Sequence, residues 1–200
     1  MAAIKVNPTR MELKRLKGQL ATARRGHKLL KDKCDELMRR FLDAVREAKE
    51  LREKLSLTLG DVDGRFSIAA AQTDPRMMTA ALMLPAGGGE LSVGEENIMS
   101  VIVPRYDFSY DKGKSASPYG FAFTTSALDL ATDELTDVLP ELVHLAQLEK
   151  TSLLLCDEIE RTRRRVNALE YIMIPQYEVQ IKEISMKLDE NERSTQIRLM

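Results

Sequence analysis

The sequence contains no tryptophan, and aromatic residues make up only 5% of its 200 positions, whereas 30% are charged. A chain of this kind is short of the bulky side chains that fill a compact globular core. Cysteine is nearly missing too. Cys34 and Cys156 are too few for a disulfide framework or a zinc-ligand pattern and fit a reducing compartment. No apolar run approaches the ~20 residues that span a bilayer, and no secretory signal precedes Pro8. The expectation is a soluble cytoplasmic chain without direct membrane insertion, tied to a membrane only through other proteins. The net charge of −1 supplies no global field that would select a partner.

Catalytic signatures are equally scarce. There is no Gly-Lys-Ser/Thr phosphate loop, and Gly87-Gly88-Gly89-Glu90 lacks both the lysine and a following helix. His27 and His144 have no serine or cysteine placed beside them as a nucleophile. Adjacent acids such as Asp157–Glu158 and Asp189–Glu190 point in different directions on a helix, as solvated surface does. No catalytic residue, cofactor or metal ligand is expected, and the chain is not expected to be an enzyme on its own.

What the sequence does contain is a long, regular stripe. From Leu13, apolar or small residues recur at alternating steps of three and four through Leu16, Leu20, Ala23, His27, Leu30, Cys34, Leu37 and Phe41 to Ala44, Ala48, Leu51, Leu55, Thr58 and Val62. A mean step of 3.5 is the seam of a left-handed coiled coil. Thr9 followed by Glu12 reads as a capping box that opens the helix. His27 and Cys34 lie on the seam, two turns and about 10 Å apart, too far for one metal. They read as helix packing.

A second stripe runs Leu128, Ala131, Leu135, Val138, Leu142, Leu145 and Leu148, then Leu155, Ile159, Thr162, Val166, Leu169 and Met173. It continues by steps of four to Tyr177 and Ile181. Consecutive fours are a stutter that locally unwinds a supercoil, and Pro175 coincides with it. Pro140 predicts a bend or a short preceding helix. Between the stripes, "NIMSVIVPRYDF" and "YGFAFTT" read as a pair of short strands, and "PAGGG" and "SVGEEN" read as turns. Helix is predicted on both sides of Asp74-Pro75. The fold class is therefore mainly α: a long antiparallel two-helix left-handed coiled coil, shaft 9–70 and 126–198, with an inserted β-hairpin and short-helix head over 71–125. Gly26 and His27 are expected where the bent partner helix passes closely, with His27 packed near Pro175.

Charge is unevenly placed. Residues 1–33 hold ten Lys/Arg against two acids, and residues 126–160 hold one Lys against nine acids. A basic region followed by heptads is also how a leucine-zipper DNA binder reads. Here, however, the heptads run through the basic stretch itself, and a second helix covers the seam, which leaves no free helix for a major groove.

The stretches "NPTRMELKRLKGQLATARRGHKLLKDKCDEL" and "RTRRRVNALEYIMIPQYEVQIKEISMKLDENER" closely resemble the D subunit of V/A-type rotary ATPases, and the resemblance covers almost the whole chain. Cys34 departs from it, standing where that family usually has arginine. The resemblance implies a non-catalytic central rotor subunit, an axle in a ring of alternating catalytic and non-catalytic A and B subunits. Its other end would meet the F subunit of the stalk and the C (d) adaptor of the membrane rotor. It would carry torque between ATP hydrolysis or synthesis and H⁺ or Na⁺ movement, cytoplasmic but peripheral to the membrane through the complex, with no nucleic acid bound. Arg10, Lys14, Lys17, Arg24, Arg25, Lys28, Arg163, Arg164 and Arg165 are the candidate contacts to the ring. Ile98, Val101, Val103, Tyr106, Phe121 and Phe123 are the candidate contacts to the other stalk proteins, and Gly26, His27, Cys34 and Pro175 are assigned to helix packing. The periodicity and charge taken alone fit a generic coiled-coil scaffold or tether equally well, and a nucleic-acid-binding coiled coil less well.

Overall fold

A computed structural model describes residues 7–83, 88–111, 119 and 124–200. Helix α1 spans Arg10–Gln72 without a break, 63 residues. Thr9 caps it: the Glu12 amide donates to Thr9 Oγ1 at 3.2 Å, and the Leu13 amide to the Thr9 carbonyl at 3.0 Å. The Glu12 amide is one of the orphan donors that a helix start must satisfy, and the Leu13 bond is the first of the helix ladder. A short helix α2, Pro75–Leu82, follows. Its N-cap Asp74 accepts from the Arg76 amide at 2.8 Å, and Pro75 sits in the first turn, where its missing N–H costs nothing. Strands β1 (Gly88–Ile98) and β2 (Val101–Asp111) form a two-stranded antiparallel sheet. Helix α3 runs Ser126–Ala168, passes into a π-helical turn at Leu169–Met173, and continues as α4 over Ile174–Leu199. Pro140 lies within α3 and does not end it.

The chain divides into two compact units. One comprises Met1–Met38 with Asp157–Met200, the other Arg39–Cys156. In the first unit the seam buries Leu16, Leu37, Ile159, Thr162, Val166 and Ile184, each at most 9% exposed. In the second, Leu55, Val62, Val138, Leu148 and Leu155 are buried along the helices, while Ala69, Ala81 and Leu128 form a cluster closed by Phe66, Met78, Tyr119 and Ala127. Every seam position from Leu13 to Val62 is buried or partly buried, so the 3.5-residue pattern does select the contact face.

Antiparallel pairing within each unit is marked by ion pairs whose numbers rise on α1 as they fall on its partner. The first unit has Arg10 with Glu192, Arg24 with Glu178 at 2.6 Å, and Lys33 with Glu158 at 3.1 Å. The second has Arg52 with Glu149 and Arg65 with Glu134 at 2.8 Å.

The hairpin corrects the strand assignment made from the sequence. Residues 101–111 do form a strand, and their partner among the described residues is 88–98, much of which was expected to be turns. Of the expected strand "YGFAFTT", residues 120–123 lie outside the described residues, and Thr124 and Thr125 are not strand. The connection is a two-residue turn at Met99 and Ser100, whose φ angles of 51° and 71° suit the right-handed twist of a hairpin. Neither residue is the usual Asn or Gly, so the turn carried no sequence signal. The Asn97 side chain accepts from the Ser100 amide at 2.8 Å and holds it in place.

Two outcomes follow for stability. Leu37→Ala, at a fully buried seam position, should lower the unfolding free energy by about 2–5 kcal/mol. Leu29→Ala, at a position 69% exposed, should change it by less than about 0.5 kcal/mol. Urea unfolding followed by circular dichroism separates the two, and equal losses would contradict the seam. Met99→Asn with Ser100→Gly relieves two left-handed side-chain positions and should stabilise the hairpin by about 1 kcal/mol, seen as slower amide exchange across β1 and β2.

Candidate functional site

Among the described residues no group of three or more His, Cys, Asp or Glu could hold a metal, and no helix is long and apolar enough to cross a membrane. The side chains singled out from the sequence are instead distributed between internal pairing and open surface. His27 Nε2 lies 3.3 Å from Glu170 Oε2, its side chain 21% exposed, so this seam histidine is held by a carboxylate on the π-helical turn. Cys34 is a free, half-buried thiol on the same seam. Pro175 falls in the first turn of α4, directly after that turn. Gly26 does not play the part expected of it. A Cβ built there meets nothing within 4 Å, so no partner backbone approaches. The partner helix presents its wider π turn at this level, and Gly26 lines an open groove with Gly18, Thr22, Leu169, Met173 and Tyr177.

The basic candidates separate by what they touch. Arg10 and Arg24 reach across to Glu192 and Glu178, and Arg164 bonds Glu160 one turn back on its own helix. Arg25 lays its Nε against the Ala21 carbonyl at 3.4 Å. Lys14, Lys17, Lys28, Arg163 and Arg165 are exposed and make no ion pair among the described residues. At 100° per residue, Lys14, Lys17, Arg25 and Lys28 fall within about 80° of one another on α1, on the side away from the seam. The result is a solvent-facing cationic stripe on long, mobile stems. By sequence count, the Met1–Met38 and Asp157–Met200 unit holds eighteen Lys/Arg against thirteen Asp/Glu, and the Arg39–Cys156 unit twelve against eighteen.

The hairpin candidates divide in the same way. Val101 and Val103 are 8% and 2% exposed, so they are core residues of this chain rather than surface offered to a partner. Val103 lines a cleft with Ala44, Leu148 and Leu155, because the base of the hairpin leans on α1 and α3. Gln147 Oε1 accepts from the Tyr106 amide at 2.9 Å and fixes that docking. Ile98 and Tyr106 are half-buried, and Phe121 and Phe123 lie outside the described residues.

Of the hairpin's other face the sequence reading named only Tyr106. There Leu91 and Val93 pair with Phe108 and Tyr106, and Ile102 lies on the same side. Leu91, Val93 and Ile102 are 52%, 63% and 58% exposed. The Phe108 and Tyr110 rings stack with centroids 6.5 Å apart, and Phe108 lies over Gly89 so closely that a Cβ there would sit 3.0 Å from the ring. This is an apolar patch with a built aromatic surface. The alternation Gly89, Leu91, Val93 carries its signal, diluted by the glycines.

These features, a seam-packed helix pair with one cationic face and a hairpin with one apolar face, are surfaces on which other proteins can bind. The sequence model of the family described as the ATP synthase D subunit matches residues 12–200. The V-type ATP synthase D subunit of Acetivibrio thermocellus is 56% identical over 202 residues, covering 100% of this chain and 91% of the relative. Those of Thermoanaerobacter sp. (strain X514) and Clostridioides difficile (strain 630) are 50% and 51% identical, covering 100% of this chain and 96% and 90% of theirs. The chain belongs to the family of V-type ATP synthase D subunits, and so is one component of a rotary ATPase.

Proposed function

We propose that this protein is the non-catalytic central rotor of its complex, transmitting torque between the ATP-hydrolysing or ATP-synthesising ring and the membrane ring that moves H⁺ or Na⁺. The observation that carries the reading is the cationic stripe of Lys14, Lys17, Arg25 and Lys28 on a helix whose opposite face is committed to its antiparallel partner. A rotor must hold its own helices together while its outer contacts exchange. Buried seam residues serve the first need. Charges on long exposed stems serve the second, since each contact is weak, screened and quickly replaced.

In this reading residues 9–70 and 126–198 are the shaft and 71–125 the head. The unpaired Lys14, Lys17, Arg25, Lys28, Arg163 and Arg165 face acidic loops of the A and B subunits of the ring, joined by Arg10, Arg24 and Arg164 when these exchange their internal partners. The hairpin's apolar face, which includes Tyr106, meets the F subunit of the stalk or the C (d) adaptor of the membrane rotor, and Ile98 on the opposite face serves to seat the hairpin. The chain is cytoplasmic and reaches the membrane only through the complex.

The test is reconstitution. Adding this chain to the purified A–B ring should change ATP turnover and give a stable complex, whereas the chain alone should turn over no ATP. No binding to the ring, or recovery of nucleic acid instead, would reject the rotor. Lys17→Glu with Lys28→Glu leaves every internal ion pair intact and should weaken ring binding about tenfold at low salt, with a flatter salt dependence. Titrating binding from low to high ionic strength reads this out, and an unchanged affinity removes the stripe from the interface.

A further inference from the structure

The unit formed by Met1–Met38 and Asp157–Met200 holds buried residues at two levels and only partly buried ones between them. On the partner side, Val166 and Ile184 are buried, and no residue from 167 to 183 is. On α1, Leu16 and Leu37 are buried, and no residue from 17 to 36 is. The loosely packed level coincides with three further features. The π-helical turn Leu169–Met173 has no buried residue. Pro175 removes the amide that would bond the Tyr171 carbonyl. Opposite lies a groove of about 550 Å³, floored by Gly18 and Gly26, where an added Cβ meets nothing within 4 Å. The pairs that cross here, Arg24 with Glu178 and His27 with Glu170, use flexible and partly exposed side chains that can follow a shift.

We propose that Leu169–Met173 and the groove facing it form a bending joint, about which α4 changes its angle to the Asp157–Ala168 part of α3. A π turn is a wide turn whose hydrogen bonds are readily exchanged for α ones, and such turns are recognised sites of helix bending. Close packing normally suppresses that exchange, because any tilt opens a void or makes a clash. Here the groove is already open, so Met173 and Tyr177 have room to move over bare helix backbone. This also accounts for Gly18 and Gly26: each costs about 1 kcal/mol relative to alanine in a helix, and a bare backbone at both leaves the groove clear. The inference concerns this unit alone and stands whether or not the chain is a rotor.

The full-length chain suffices for the test. Amides of residues 169–174 should exchange about tenfold faster than those of 159–166, a sub-global opening confined to the joint. In a Cys34→Ser, Cys156→Ser background, spin labels at Arg161→Cys and Lys182→Cys straddle the joint, and labels at Lys14→Cys and Asp35→Cys span the same number of residues along α1 within the same unit. The first pair should give the broader distance distribution, and Gly18→Leu with Gly26→Leu should narrow it by filling the groove. Uniform amide protection, equal widths for the two pairs, or a filled groove that leaves the width unchanged would each overturn the proposal.

Discussion

A pair of antiparallel helices can hide only one stripe of each, and everything else in this structure follows from how thin that stripe is. Leu16, Leu37, Leu55, Leu155 and Ile159 are buried along that stripe. A heptad seam has a further weakness: a slip of seven residues restores the same apolar match. Register must therefore come from what does not repeat. Lys33 and Glu158, 26% and 21% exposed, form such a mark, with Thr162 buried beside them. A half-buried pair adds little net stability, yet leaving either charge unpaired in a slipped register is expensive. The exposed rungs, Arg24–Glu178 and Arg65–Glu134 among them, contribute a few tenths of a kcal/mol each and all favour the same alignment.

That division of labour separates holding from touching. Of the basic residues on the first turns of α1, Arg10 and Arg24 are bound inward, and Lys14, Lys17 and Lys28 are not. A surface meant for one permanent partner usually presents aromatic or aliphatic anchors at its centre. The stripe on α1 presents ammonium groups on mobile stems, whereas the hairpin presents Leu91, Val93 and stacked aromatic rings. The two surfaces suit different kinds of contact, transient at the first and lasting at the second.

The helices were legible in the sequence because their signal is redundant. The stripe from Leu13 to Val62 repeats often enough that no single residue decides it, and Thr9 announces its cap. The stutter was legible as a position, though its form was not: the run of fours is absorbed in a π turn at Leu169–Met173. The hairpin was half hidden. Its first strand contains Gly88, Gly89, Gly94, Glu95 and Glu96, which look like loop because one edge of the sheet is solvated and one face packs an aromatic ring on glycine. Its turn uses Met99 and Ser100, residues that rarely adopt positive φ. The valines at 101 and 103 were read as partner surface because alternation locates a face without telling which neighbour covers it. Ion partners such as Glu178 and Glu192 were unreadable in principle, since they depend on a fold-back register set by the whole chain.

The bond from the Tyr106 amide to Gln147 has a meaning beyond docking. A two-stranded ribbon has two free margins, and each exposes main-chain groups on which a further strand could grow. On the β2 margin one of those donors is already occupied by a side-chain carbonyl, at the place where the ribbon turns from helix-supported to solvated. An incoming strand would have to displace Gln147 before it could zip onward. The same contact that seats the ribbon thus discourages runaway polymerisation of identical copies while the chain waits for assembly.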